Sequence, residues 1–275
     1  MKNLPGRVAL VTGGGSGIGA GTVLALARRG VHSIVADINA QRCAEIAGQA
    51  RALGVTSLPL RCDVRSSEDL VAGRELALRE FGGIDIVMNN VGIVAHGQPL
   101  AIPAAEWARV LDVNVMSVVR SNEVFLPYLM DRGDGHIVNT ASINGLFPYC
   151  YDRLPYTTSK AAVVAMSEAL SLYTRPRGVW ITCLCPGPVR TNMAAGAHWF
   201  GPPGAMQVAT GLPRLEAADV GEMVATAIED NQFFVLTHPE VSASMAARAA
   251  EPDRYLEQAI AGLSVNGAPP EQPEP

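Results

Sequence analysis

The segment Thr12-Gly13-Gly14-Gly15-Ser16-Gly17-Ile18-Gly19 limits what this chain can fold into more than any other feature. It follows the apolar run of residues 8–11 directly and opens a helical stretch that reaches Arg29 and stops at Gly30. A glycine cluster between a buried strand and a helix start lets backbone amides approach a pyrophosphate at the positive end of the helix. The competing reading is a merely tight turn, which needs fewer glycines than the five between Gly13 and Gly19. A phosphate-transferring loop would carry a lysine here, and its absence argues against a nucleoside triphosphatase.

Further runs at residues 33–36, 57–60, 84–88, 136–139, 180–184 and 233–236 are almost continuously apolar or β-prone, as expected of strands covered on both faces. Between them lie helical patterns; Val220, Met223, Val224, Ala227 and Ile228 fall on one helical face. Strand and helix alternating in this way predict an α/β fold, a doubly wound parallel sheet of about seven strands with helices on both faces. Apolar residues at 48% of 275 supply one large core, so residues 1–265 are expected to form a single domain. Within it the stretch of about 187–215, rich in Gly, Pro and Ala, is too long for an ordinary connection and reads as a substrate loop. Residues 266–275 hold four prolines and read as a disordered tail.

Composition removes several functions. A net charge of -5 and 5% aromatics argue against nucleic-acid binding. Five cysteines without a CxxC pair imply neither a disulfide framework nor a zinc site; Cys183 and Cys185 read as buried strand thiols. The histidines at 32, 96, 136, 198 and 238 show no metal-ligand spacing, so no catalytic metal is expected. Without an apolar leader or a membrane-length run, the expectation is a soluble cytoplasmic protein.

The second strand ends in Asp37, eighteen residues past Gly19, where a carboxylate accepts both hydroxyls of an adenosine ribose. Like charges about 4 Å apart at an effective dielectric near 20 repel by roughly 4 kcal/mol, which disfavours a 2′-phosphate. NAD is therefore the expected cofactor, although Arg42 could reach back and leaves NADP open. The third and fourth predicted strands lead to Cys62-Asp63-Val64 and Asn89-Asn90-Val91-Gly92, at the carboxyl edge where open α/β sheets bind ligands.

Tyr156 and Lys160, four apart at the start of an Ala-rich helical run, share one helix face. A phenol titrates near 10; an ammonium about 5 Å away would favour phenolate by roughly 3 kcal/mol, or about two pKa units. The phenol then becomes useful as a general acid/base. Ser142, after the strand at 136–139, could aim its hydroxyl at the same carbonyl oxygen. No GxSxG elbow is present, which argues against a serine hydrolase.

In order and spacing, the glycine-rich turn, AsnAsnValGly, Asn114, Ser142, Tyr156 with Lys160, and ProGlyProValArgThr resemble the short-chain dehydrogenase/reductase family over about residues 6 to 240. The resemblance implies a Rossmann-type fold and an NAD(P)-dependent oxidoreductase. It implies that Tyr156 is the general acid/base, that Lys160 lowers its pKa and holds the nicotinamide ribose, and that Ser142 polarises the substrate oxygen. Asn114 would hold a water in a proton relay. For the cofactor it implies Gly13, Ser16, Gly17, Ile18 and Gly19 at the pyrophosphate, and Asp37 at the adenosine ribose. Asp63, Val64, Asn90 and Gly92 would lie along the adenine side, and Pro186, Gly187, Val189 and Thr191 at the nicotinamide. Val91 departs from the more usual Ala without touching the chemistry. The resemblance also implies a homo-oligomer, tetramer or dimer, packed through the helix after Tyr156.

Three segments are expected to wall the substrate: residues 93–100, 143–154 and 193–212. They carry Leu146, Phe147, Tyr149, Met193, Trp199, Phe200 and Met206 and few charges, which suits a bulky hydrophobic secondary alcohol or ketone. Trp199 and Phe200 read equally well as lid anchors. Arg153 or Arg190 could instead meet an acidic substrate, and His96 reads as exposed or merely hydrogen-bonded. A biosynthetic NADPH-dependent ketoreductase and a non-catalytic dinucleotide-binding regulator are the rival functions.

Overall fold

Each apolar run becomes a strand because its side chains alternate between two covered faces. In β1 (Val8–Thr12), Ala9 and Val11 pack into one core while Leu10 packs into another. The computed structural model describes residues 1–193, 197–201 and 211–265. After β1 come α1 (Gly17–Arg28), β2 (His32–Asp37), α2 (Ala40–Ala52), β3 (Ser57–Arg61), α3 (Ser67–Phe81) and β4 (Ile86–Asn89). Next are β5 (Ala95–Gly97), α4 (Ala104–Leu111), α5 (Ser117–Arg132), β6 (Gly135–Thr140), α6 (Leu154–Thr174) and β7 (Val179–Cys185). The C-terminal part adds β8 (His198–Phe200), α7 (Ala217–Asp230), β9 (Phe234–Leu236), α8 (Val241–Ala250) and α9 (Pro252–Val265).

Seven strands form one sheet in the order β3-β2-β1-β4-β6-β7-β9, with every pairing parallel. The fold is the doubly wound, Rossmann-type single domain that the alternation predicts. The core on one face is built from Val23 and Leu26 of α1, Ala47 of α2 and Val224 and Ile228 of α7. Leu70 of α3 with Phe125 and Leu129 of α5 builds the other. On α7, Met223 is partly exposed at the rim of the stripe that buries Val220, Val224, Ala227 and Ile228.

All seven predicted strands are present, with β2 longer and β4 starting at Ile86 rather than residue 84. A separate two-stranded parallel sheet, β5 with β8, has no counterpart in the sequence reading. Three-residue strands leave no periodicity to detect, and these partners lie about a hundred positions apart in the chain. The order β2-β1-β4 reverses the winding direction beside β1, which opens a crevice at the carboxyl ends of β1 and β4. The tail at 266–275, Met206 and the middle of the expected substrate loop lie outside the described residues.

Candidate active site

A cleft of about 520 Å³ runs along that carboxyl edge, within the range of small-molecule sites. At its floor the chain leaves β1 through Gly13, at φ +64, and enters α1 through Gly17, at φ +52. A side chain at Gly19 could not be accommodated: its Cβ would lie 2.2 Å from the Gly13 carbonyl oxygen. The N-cap Ser16 makes no side-chain cap, and the first turn of α1 carries no acidic residue. Its leading N–H groups therefore face the cleft at the positive end of the helix, the arrangement an anionic group requires.

Asp37, at the tip of β2, accepts hydrogen bonds from Gly15 N at 3.3 Å and Asn39 N at 3.0 Å. Arg42 flanks it: a methyl on Gly15 would stand 3.1 Å from Asp37 Oδ2 and 2.9 Å from Arg42 Cβ. Farther along, Asp63 is paired with Arg65 at 2.6 Å, and that hydrogen-bonded guanidinium holds its carboxyl below the ordinary range. Asn90 ties β4 to the turn, donating from Nδ2 to Gly13 O at 3.4 Å and from its backbone N to Thr12 Oγ1 at 3.1 Å. Cavity size, free helix amides and glycines that admit close approach together fit a dinucleotide.

The other end of the cleft is formed by β6, β7 and α6. Tyr156 is 6% exposed and Lys160 2%. One helical turn apart, they bring Lys160 Nζ to 5.6 Å from the centre of the phenol ring, while Nζ donates to Thr140 O at 2.7 Å. Burial lowers the ammonium to about 8. The phenol departs from the sequence expectation: burial pushes it above its ordinary value, against the lowering influence of the nearby Ser142 hydroxyl and the charge of Arg153. Desolvating a phenolate outweighs the ammonium's attraction when that ammonium is itself desolvated and bonded to a carbonyl.

Ser142 Oγ lies 3.4 Å from Pro186 O and accepts from Asn144 N at 3.2 Å and Asn144 Nδ2 at 3.4 Å. Asn114 sits in a π-helical turn, Asp112–Met116, that joins α4 to α5. Its amide makes three hydrogen bonds: Oδ1 accepts from Ile93 N at 2.8 Å, and Nδ2 donates to Ile93 O and Ser159 Oγ, each at 2.9 Å. The side chain thus pins the segment following Gly92 to α6. Such π turns recur at functional sites because they loosen the regular carbonyl ladder.

Of the residues singled out from sequence, Gly13, Ser16, Gly17, Ile18, Asp37, Asp63, Val64, Asn90, Gly92, Ser142, Tyr156, Lys160, Pro186, Gly187, Val189 and Thr191 all border this one cleft. Gly19 and Asn114 stand behind its wall. Three contributors were not foreseen: Thr140, which holds Lys160; Asn144, which holds Ser142; and Arg109, which borders the cleft. Thr140 and Arg109 have no sequence signal because tertiary packing brings them there; Asn144 bonds Ser142 from two residues away, and its place gains meaning only once Ser142 is at the cleft.

The substrate side departs more from expectation. Met193 borders the cleft, whereas Leu146 and Phe147 are buried in the core under α6 and α8. Phe147 and Tyr149 join Leu212, Val241 and Tyr255 around a second cavity of about 420 Å³. Trp199 and Phe200 belong to β8, and the Trp199 ring stacks on His96 at 5.6 Å, as lid anchors would. His96 Nδ1 lies 3.2 Å from Asp152 Oδ2, so the hydrogen-bonded reading of His96 holds. Arg153 bonds the same carboxylate at 3.1 and 3.2 Å, and Arg190 is exposed and paired with Glu216. Among the described residues, no group of three His, Cys, Asp or Glu stands in metal-binding geometry, and no helix is long and apolar enough to cross a membrane.

Comparison with known proteins agrees with this geometry. A family model described as short chain dehydrogenase matches residues 7–198. The chain is 38% identical over 193 residues to the probable oxidoreductase EphD of Mycobacterium tuberculosis, covering 70% of this chain and 32% of that protein, so it spans about a third of that relative's length. It is 35% identical over 190 residues to a cyclohexanol dehydrogenase of an Acinetobacter species, covering 69% of this chain and 75% of that protein. A short chain dehydrogenase/reductase from Burkholderia phymatum, solved in complex with NAD, superposes with a TM-score of 0.82 at 29% identity over the full length of both chains.

Proposed function

The chain belongs to the short-chain dehydrogenase family, and from that premise we propose that it is an NAD-dependent oxidoreductase interconverting a bulky hydrophobic secondary alcohol and its ketone. One observation carries the proposal: Ser142, Tyr156 and Lys160 border the same cleft as Asp37 and the leading residues of α1. When bound, a nicotinamide dinucleotide supplies the hydride acceptor or donor. Gly13, Ser16, Gly17 and Ile18 would hold its pyrophosphate and Asp37 its adenosine ribose, with Asp63, Val64, Asn90 and Gly92 along the adenine side. Pro186, Gly187, Val189 and Thr191 would hold the nicotinamide.

Tyr156 takes the hydroxyl proton during alcohol oxidation and returns it during ketone reduction. Ser142 donates a hydrogen bond to the reacting oxygen. Lys160 supplies positive charge next to the phenol and passes the proton on toward solvent, and Asn114 keeps that route in register. The apolar residues beside the cleft and the 35% identity to a cyclohexanol dehydrogenase support an alicyclic or similarly bulky substrate. The enzyme acts in the cytoplasm as a dimer or tetramer packed through α6, whose Leu172 and Tyr173 are exposed.

Arg42 beside Asp37 favours a second reading, an NADPH-dependent ketoreductase, because its cation would neutralise a 2′-phosphate. A non-catalytic regulator has no use for the Ser142, Tyr156 and Lys160 set. NAD reduction is to be followed against a panel of hydrophobic secondary alcohols, with Tyr156→Phe run alongside. Turnover that disappears in the variant supports the dehydrogenase; equal turnover in both proteins refutes the mechanism.

A further inference from the structure

The Ser142 hydroxyl has one hydrogen and two lone pairs, so its direction decides what it can do. Two donors of the same residue approach its oxygen: Asn144 N at 3.2 Å and Asn144 Nδ2 at 3.4 Å. With both lone pairs engaged, Ser142 can meet a third partner only by donating. Its acceptor within the protein is Pro186 O at 3.4 Å, whose place an oxygen bound in the cleft can take.

The Asn144 amide is itself held on two further sides. Nδ2 also donates to Tyr149 Oη at 2.8 Å, and Oδ1 faces Cys150 Sγ at 3.5 Å. Burial pushes the Cys150 thiol up to about 12, so it keeps its hydrogen and acts as a donor to Oδ1. That fixes which end of the amide faces Ser142. Asn144 is 7% exposed and does not border the cleft, so it acts through Ser142 and not on a substrate directly.

We propose that Asn144 is a positioning residue that locks the Ser142 hydroxyl into the donor orientation, toward the Tyr156 phenol and the oxygen of a bound alcohol or ketone. A hydroxyl locked in this way stabilises phenolate over phenol and strengthens as negative charge develops on the substrate oxygen. The inference deepens the proposed function and rests on its assignment of Ser142 and Tyr156.

Asn144→Asp tests it, because the replacement has nearly the same shape but offers Ser142 an acceptor that withdraws its proton from the phenol. The first readout needs no substrate: the ultraviolet phenolate titration of the full-length protein, with the Tyr156→Phe titration subtracted. Asn144→Asp is expected to raise the Tyr156 midpoint by about one pH unit or more. In alcohol oxidation, kcat should fall about 100-fold, with KM and NAD affinity within about threefold of wild type. Asn144→Ala introduces no charge, keeps the backbone donor, and is expected to move both quantities in the same direction by less. It stands in if the Asp variant fails to fold. An unchanged Tyr156 midpoint and unchanged kcat in the folded variants overturn the proposal. If Tyr156→Phe retains turnover, it is the functional reading that fails, and the titration still decides the role of Asn144.

Discussion

The dinucleotide end of the cleft and the ribbon of β5 and β8 are built by different means. At the dinucleotide end, the glycines of the turn after β1 set its shape locally, and the tips of the adjoining strands β2 and β4 bring Asp37 and Asn90 against it. In the ribbon, β5 and β8 meet from distant parts of the chain, and Gly97 must lack a side chain because its Cβ would lie 2.4 Å from Phe200 O. The Asp152 carboxylate then ties His96 to Arg153, at the N-terminus of the helix that carries Tyr156. A binding element common to many substrates can be written into a short motif. On the proposed function the ribbon is a specificity element, assembled from long-range contacts that can change without disturbing the first.

The sharpest way to break this division is Tyr156→Phe. It should reduce turnover at least 100-fold while leaving dinucleotide affinity within a few-fold, as read by steady-state kinetics and cofactor fluorescence. Comparable losses in both quantities would mean the two ends are not separable. Gly19→Ala is the converse. Its methyl must displace the Gly13 carbonyl, so dinucleotide affinity should fall more than about tenfold and stability by about 1–3 kcal/mol in denaturant titration. Asp37→Ala tests the cofactor choice within the dinucleotide end. The ratio of kcat/KM for NAD over NADP should fall about 10- to 100-fold, with Arg42 left to meet the phosphate.

Acid probes the substrate end. Burial raises the Asp152 carboxyl, but hydrogen bonds from His96 and Arg153 outweigh it and hold the group at about 2, below the ordinary 3.8. The lowered value means that its contribution to stability, about 2 kcal/mol, is complete above about pH 4 and is lost as pH falls toward 2. Denaturation midpoints measured across that acid range should fall more gently in Asp152→Asn than in wild type; parallel curves would remove Asp152 from the acid response. The smallest effect belongs to Trp199→Ala, which removes the stack on His96. A rise of about two- to fivefold in KM for bulky alcohols, with NAD kinetics unchanged, would place β8 at the substrate and away from the dinucleotide.

Legibility in the sequence follows the same boundary. The seven strands and the glycine turn were readable because buried parallel strands are continuous apolar runs and a turn of this type demands glycine whatever surrounds it. The helical spacing of Tyr156 and Lys160 was readable too, but the state of the phenol was not. Its titration depends on how far tertiary packing removes it from water, and here burial reversed the expected direction. Leu146 and Phe147 illustrate the same limit: an apolar residue on a predicted wall segment fits a core and a pocket equally well, and the structure put Leu146 in the core and Phe147 between that core and the second cavity.

By itself, then, the sequence determined the α/β class, the parallel winding and the residues that meet at the carboxyl edge, because these follow from short-range periodicity and local conformational demand. The tertiary structure alone decided the pairing of β5 with β8, the tethering of Lys160 by Thr140, and the sign of the shift at Tyr156. Each of these arises from desolvation or from contacts between distant segments, quantities that have no value until the chain is packed.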